Sequence, residues 1–97
     1  RRSSDLQNYP NPFNPETWIP FSIKDATTVQ IHIYDATGHP VRRLDLGFRK
    51  SGNYITPSKA AYWNGRNQLG EKVASGVYFY QIRAGEFSSM KKMVILK

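Results

Sequence analysis

Between Thr28 and Tyr34 apolar and polar side chains alternate without a break, Val29, Ile31 and Ile33 against Gln30, His32 and Tyr34. A period of two puts the two sets on opposite faces of an extended chain, whereas a helix would scatter both around its axis. The segment reads as a strand with one buried face. The same pattern recurs over residues 17 to 24, where Ile19, Phe21 and Ile23 oppose Trp18, Pro20, Ser22 and Lys24, and over 77 to 84, where Tyr78, Tyr80, Ile82 and Ala84 share a face. No window sustains a helical period.

The breakers between these runs divide the chain into short strands. Pro20 lacks an N–H, which predicts an edge position or an outward N–H site for its strand. Asp25-Ala26-Thr27 and the stretch from Asp35 through Gly38 to Pro40 supply turns. Strand character resumes over residues 41 to 48, with Val41 out of phase with Leu44 and Leu46, which predicts a bulge there. Residues 52 to 56 and 60 to 63 are further short strands, and Asn64-Gly65 and Asn67-Gln68-Leu69-Gly70 carry turn chemistry. Ala84-Gly85-Glu86 reverses the chain into a last strand over 87 to 96, so 77 to 84 and 86 to 96 form a hairpin. Both faces of that last strand are partly apolar, so its phase leaves the inward side open.

About seven short strands separated by turns predict an all-β fold, an antiparallel immunoglobulin-like β-sandwich, with a small closed barrel as the rival architecture. Residues 1 to 5 read as a linker remnant and residues 6 to 97 as one domain, large enough at 97 residues in all to fold without covalent staples. The three prolines of Pro10-Asn11-Pro12-Phe13-Asn14-Pro15 force an extended or turning path, and Phe13 is the one large apolar group able to pin that loop down.

Cysteine is absent, which excludes a disulfide framework and a thiolate metal site without deciding the compartment. The formal net charge of +7 favours acidic partners. The cations fall in scattered pairs, Arg1-Arg2, Arg42-Arg43, Arg49-Lys50 and Lys91-Lys92, which suits solvated strand faces better than a nucleic-acid arm. No apolar run is long enough to span a bilayer, and Arg1-Arg2-Ser3-Ser4-Asp5 lacks the apolar stretch of a signal peptide. A chain that opens abruptly on polar residues reads as the C-terminal domain of something longer.

Catalysis needs a nucleophile, a base and an orienting group that converge, and the candidates are poor. His32 has an outward phase on a strand, His39 sits in a turn, and the seven carboxylates are spread thinly. No catalytic, cofactor or metal site is expected. The turn from Asn64 to Gly70 is rich in oxygens but contains Arg66 and no carboxylate, which favours a turn role over a cation loop. Among the aromatics, Tyr78 and Tyr80 share a face with Ile82 and read as core, leaving Trp18, Tyr34 and Phe79 as outward rings able to form a patch.

Five motifs in order carry a resemblance. Tyr9-Pro10-Asn11-Pro12-Phe13-Asn14-Pro15 is similar to an opening PNP motif, Asp35-Ala36-Thr37-Gly38-His39-Pro40-Val41 to a D-x-x-G-x-x-V turn, Trp63-Asn64-Gly65 to a W-[DN]-G turn, and Gly76-Val77-Tyr78 to a G-x-Y motif. Lys92-Met93-Val94-Ile95 matches a terminal Lys-plus-apolar motif at the corresponding distance from the chain end. Together they resemble the type A C-terminal sorting domains of the type IX secretion system and the related immunoglobulin-like domain of the flagellar hook-capping protein. Asn64 and Asn67 stand where members often carry Asp.

The resemblance implies a non-enzymatic domain covalently part of a larger cargo protein, secreted to the outer membrane or cell surface of a Gram-negative bacterium. Its implied partners are a secretion translocon or surface-attachment proteins, with no nucleic acid, no membrane span, and a monomeric or weakly dimeric state. Recognition is assigned to the last strand, through Lys91, Lys92, Met93, Val94, Ile95 and Lys97, on the expectation that its edge is free to accept another strand. The alternatives are an immunoglobulin-like structural or adhesive spacer of hook-cap type and a glycan- or nucleic-acid-binding module.

Overall fold

The computed structural model describes residues 6–96, and every regular element among them is a strand. The eight strands are β1 (Thr17–Ile19), β2 (Phe21–Ile23), β3 (Thr27–Asp35), β4 (Pro40–Arg49), β5 (Gly52–Tyr54), β6 (Ala61–Trp63), β7 (Gly76–Ala84) and β8 (Phe87–Ile95). One layer is a four-stranded antiparallel sheet in the order β4-β3-β7-β8. The second is built from two short ladders, β1 with β6 and β2 with β5. The sandwich expectation holds.

The alternating faces meet in a single core. Val29, Ile31 and Ile33 of β3 and Tyr78, Tyr80, Ile82 and Ala84 of β7 pack with Ile19, Phe21, Ile23, Ala61 and Trp63 of the second layer. The inward side of β8 is that of Met93 and Ile95, which are buried, while Met90, Lys92 and Leu96 are exposed. Register explains this choice, because Met93 lies opposite Tyr78 and Ile95 opposite Gly76 on the face that β7 already turns inward.

One expectation needs correction in detail. Residues 17 to 24 form two strands, because Pro20 interrupts the ladder and the chain changes partner there, from β6 before it to β5 after it. The predicted bulge at Val41 is present: Ile33 pairs with Arg42 and Tyr34 with Pro40, which leaves Val41 without a partner position, and a second irregularity skips Leu46. The β7–β8 hairpin closes at Ala84 and Phe87 around Gly85-Glu86, and Gly85 takes φ +63, as a two-residue hairpin loop requires at its first position.

The proline-rich segment stitches the two layers together. Tyr9 exchanges backbone hydrogen bonds of 2.9 and 2.8 Å with Trp18 on the β1 side. Four residues on, the Phe13 amide donates to the Val94 carbonyl and the Phe13 carbonyl accepts from Leu96, each at 3.0 Å, on the β8 side. The Phe13 ring is buried 5.7 Å from that of Trp63. The peptide bonds before Pro10, Pro12 and Pro15 are cis.

Candidate recognition surface

The five motifs converge on one region, where they serve one another. Trp63 is fully buried between Phe13 and Tyr78, at ring separations of 5.7 and 6.1 Å, and its indole N–H donates to the Arg66 carbonyl at 2.9 Å. Tyr78 donates its hydroxyl to the Ala74 carbonyl at 2.8 Å, just ahead of Gly76. Burial, with the Asp35 carboxylate adding to it, pushes the Tyr78 phenol up from its usual range. Gly65 has φ +77, and a Cβ there would stand 2.4 Å from the Pro15 carbonyl oxygen, so only glycine lets the W-N-G turn approach the proline loop.

Side-chain oxygens hold each motif turn by closing on nearby amides. Asp35 Oδ1 accepts from the amides of Thr37 and His39, at 3.0 and 2.9 Å, in the turn that contains Gly38. The Thr37 hydroxyl and the His39 amide hold the Asp35 carboxyl below its ordinary range. Asn64 Oδ1 accepts from the Arg66 amide, and Asn67 Oδ1 from those of Leu69 and Glu71. The side-chain oxygens of Asn64 and Asn67 are therefore engaged with nearby backbone, and that of Gln68 with the Arg43 amide of β4. Among the described residues no group of three His, Cys, Asp or Glu side chains comes together as a metal site.

A buried polar network, absent from the sequence expectations, lies beneath the proline loop. Asn8, 2% exposed, donates from Nδ2 to the Thr17 hydroxyl at 3.0 Å, and its amide donates to the Tyr80 hydroxyl at 3.1 Å. Thr17 Oγ1 in turn donates to the Pro10 carbonyl at 3.1 Å. Burial raises the Tyr80 phenol to about 12, although the Asn8 amide favours its ionised form. A sequence signal was available in retrospect: Asn8 and Thr17 flank a segment whose prolines cannot donate, so a buried backbone there needs side-chain partners.

The terminal strand departs from the expectation that its edge is free. Asn11 Oδ1 accepts from the Val94 amide at 3.0 Å, Gln7 Nε2 donates to the Lys92 carbonyl at 2.8 Å, and Phe13 occupies Val94 and Leu96 as described. The edge of β8 is thus occupied from the Lys92 carbonyl onward, by Gln7 there and by Asn11 and Phe13 of the opening motif beyond it. Strand pairing by a receptor at residues 92 to 96 would have to displace them. Lys92 itself is exposed, Lys91 and Val94 are half-buried, and Lys97 lies outside the described residues.

The predicted ring patch is divided. Tyr34 and Phe79 are paired neighbours on the outer face of the four-stranded sheet, with Lys92 opposite Phe79 and Met90 one row along. His32 lies on the same face, stacked on Tyr34 at 6.4 Å, and burial together with the charges of Arg83 and Arg43 lowers its pKa. Trp18 is instead on the second layer, between the rings of Tyr9 at 6.3 Å and Tyr62 at 5.5 Å.

Neither histidine sits in a catalytic arrangement. Thr37 lies between Asp35 Oδ1, at 2.7 Å, and His39 Nδ1, at 3.0 Å, so the carboxylate accepts the hydroxyl proton that a nucleophile would have to surrender to the imidazole. His32 contacts Gln30 Oε1 at 3.1 Å.

This geometry defines a small immunoglobulin-like β-sandwich whose recurring sequence motifs are packing and turn determinants. The chain belongs to the FlgD Ig-like domain family, whose model matches residues 19–86. No curated protein sequence matches it significantly. Among solved structures, FlgD from P. aeruginosa is similar over 77% of this chain and 55% of its own, at 18% identity and a TM-score of 0.60. PorZ, a surface component of the type IX secretion system of Porphyromonas gingivalis, matches 96% of this chain and 12% of its own, at 22% identity and a TM-score of 0.61. Dimeric latent PorU from the same organism matches 94% of this chain and 9% of its own, at 20% identity and a TM-score of 0.66. The chain therefore spans about half the length of the first of these proteins and about a tenth of the other two. The family match stops short of the proline loop and of β8, the two segments that pair with each other.

Proposed function

We propose that this domain is a non-catalytic C-terminal module that directs a larger cargo protein through type IX secretion to the surface of a Gram-negative bacterium. The observation that carries the reading is the display of the terminal motif: Met93 and Ile95 anchor β8 in the core, while Lys92 stands on its outer face beside half-buried Val94. A partner can read such a strand through its outward side chains without unfolding anything. No carboxylate among the described residues pairs with Lys91 or Lys92, which leaves both cations available to an acidic partner. The likeness to parts of PorZ and PorU, each much longer than this chain, supports a role as one module of a larger protein of that system. Recognition then runs through the outer face of β8 and not through strand addition at its terminal edge.

A second reading, an immunoglobulin-like structural spacer, draws on a specific observation: Trp63, Gly65, Tyr78 and Asn11 are all used in holding the sandwich together.

The discriminating experiment fuses the domain to the C-terminus of a reporter exported to the periplasm of a bacterium that has type IX secretion. Substitution replaces truncation, because deleting residues 92 to 97 would remove two core side chains and report on folding alone. The reporter is expected at the cell surface, and Lys92→Glu, with thermal unfolding unchanged, is expected to hold it in the periplasm. A reporter whose location ignores the domain would establish the spacer reading, and surface delivery of a folded Lys92→Glu fusion would remove the assigned role of that lysine.

A further inference from the structure

The part of the β8 edge that the proline loop leaves uncovered is short and has a definite pattern. In the β7–β8 hairpin the odd-numbered residues of β8 turn their backbone groups toward β7, since the two-residue loop makes Ala84 and Phe87 a hydrogen-bonded pair, and the even-numbered ones point outward. The contacts of Lys92, Val94 and Leu96 with Gln7, Asn11 and Phe13 follow this pattern. Ser88 and Met90 also point outward, and neither amide nor carbonyl of the two has a partner among the described residues. Among the described residues the open window therefore runs from the hairpin tip at Glu86 to the Lys92 amide.

We propose that this window pairs with the same window of a second copy of the chain, in an antiparallel arrangement about a two-fold axis at Ser89. In that register Ser88 faces Met90 of the second copy, and Met90 its Ser88, so four amide–carbonyl bonds form and both unpaired stretches are satisfied together. Lys92 then stands opposite Glu86 of the second copy, an exposed cation facing an exposed carboxylate, twice by symmetry. Lys91 stands opposite the ring of Phe87, 45% exposed here, on the inner face, in reach of a cation–π contact. The covered stretch is no obstacle: Val94 would face Ala84 of the second copy, where that chain has already turned away at Gly85. A shift of the axis to Met90 loses both matches, since Lys92 would face Ser88 and Lys91 would face Ser89. The product is a continuous sheet of eight strands, and a surface that charge matching makes specific for this chain.

The test uses the 97-residue chain at about 0.15 M salt. Sedimentation equilibrium is expected to show a concentration-dependent dimer. Lys92→Glu sets like charges opposite each other twice and is expected to raise its dissociation constant roughly tenfold. The double exchange Glu86→Lys with Lys92→Glu restores opposite charges and is expected to bring the dimer back. Ser89→Cys, at the axis, is expected to give a disulfide-linked dimer under mild oxidation, and Ser88→Cys is not. A chain that stays monomeric at millimolar concentration, or a dimer indifferent to Lys92→Glu, overturns the proposal. The double exchange also separates dimerisation from sorting, because it restores the first while leaving Lys92 absent from the surface that the secretion reading requires.

Discussion

Phe13 and Ile95 lie side by side in a parallel bridge that ties the proline loop to β8. The two segments bury each other's backbone and share one aromatic core with Trp63, so the proline loop and the terminal motif stand or fall together.

Phe13→Ala is expected to cost about 3–5 kcal/mol, the usual loss for a buried aromatic side chain, and to release the edge of β8 at the same time. Urea unfolding measures the first effect. Hydrogen exchange measures the second, with the Leu96 amide exchanging faster in the variant, since its acceptor is the Phe13 carbonyl. Unchanged protection at Leu96 would show that the bridge does not depend on the ring.

At Gly65 any side chain meets the Pro15 carbonyl, and the backbone is left-handed as well. Gly65→Ala is expected to destabilise the domain by roughly 2–4 kcal/mol, combining the conformational cost with the displacement of the proline loop. A denaturation midpoint equal to that of the parent chain would contradict the close approach.

Tyr80 gives the domain an alkaline limit. Its phenol is raised to about 12 in the fold against a usual value of 10. The folded state therefore holds a proton that the unfolded chain gives up. The stabilisation is complete below about pH 10 and falls as pH rises through 12, by on the order of 2–3 kcal/mol. Tyr80→Phe is expected to be less stable at neutral pH by about 1–3 kcal/mol, because the Asn8 amide loses its acceptor, and to show a shallower decline above pH 10. Parallel pH profiles for the two proteins would refute the assignment.

Asn67 closes the turn after the W-N-G motif through one oxygen shared by two amides. Asn67→Ala is expected to cost about 1 kcal/mol and to speed exchange at the amides of Leu69 and Glu71, while core amides change only with global stability. Added calcium is expected to leave the parent chain's melting temperature unmoved, since that oxygen is already engaged.

Strand phase and turn position were legible because both are local. Val29, Ile31 and Ile33 had only one face to share, and Asp35, Asn64 and Asn67 close their turns on amides two to four residues away. Burial of Tyr78 and Tyr80 followed from the same alternation, and the bulge at Val41 from its break in phase. The roles of Asn8 and Asn11 were not legible, because their partners lie far along the chain, at Tyr80 and Val94.

By itself the sequence determined a sandwich of short antiparallel strands, a proline loop pinned by Phe13 and a terminal hairpin, since side-chain periodicity and turn chemistry are written into neighbouring residues. Only the tertiary structure decided that Pro20 marks a change of partners, that Met93 and Ile95 turn inward, and that the terminal edge is covered from Lys92 while the backbone of Ser88 and Met90 has no partner among the described residues. The physical reason is that backbone hydrogen bonds at a sheet edge are satisfied by whichever remote segment packs there, and no local pattern names that segment.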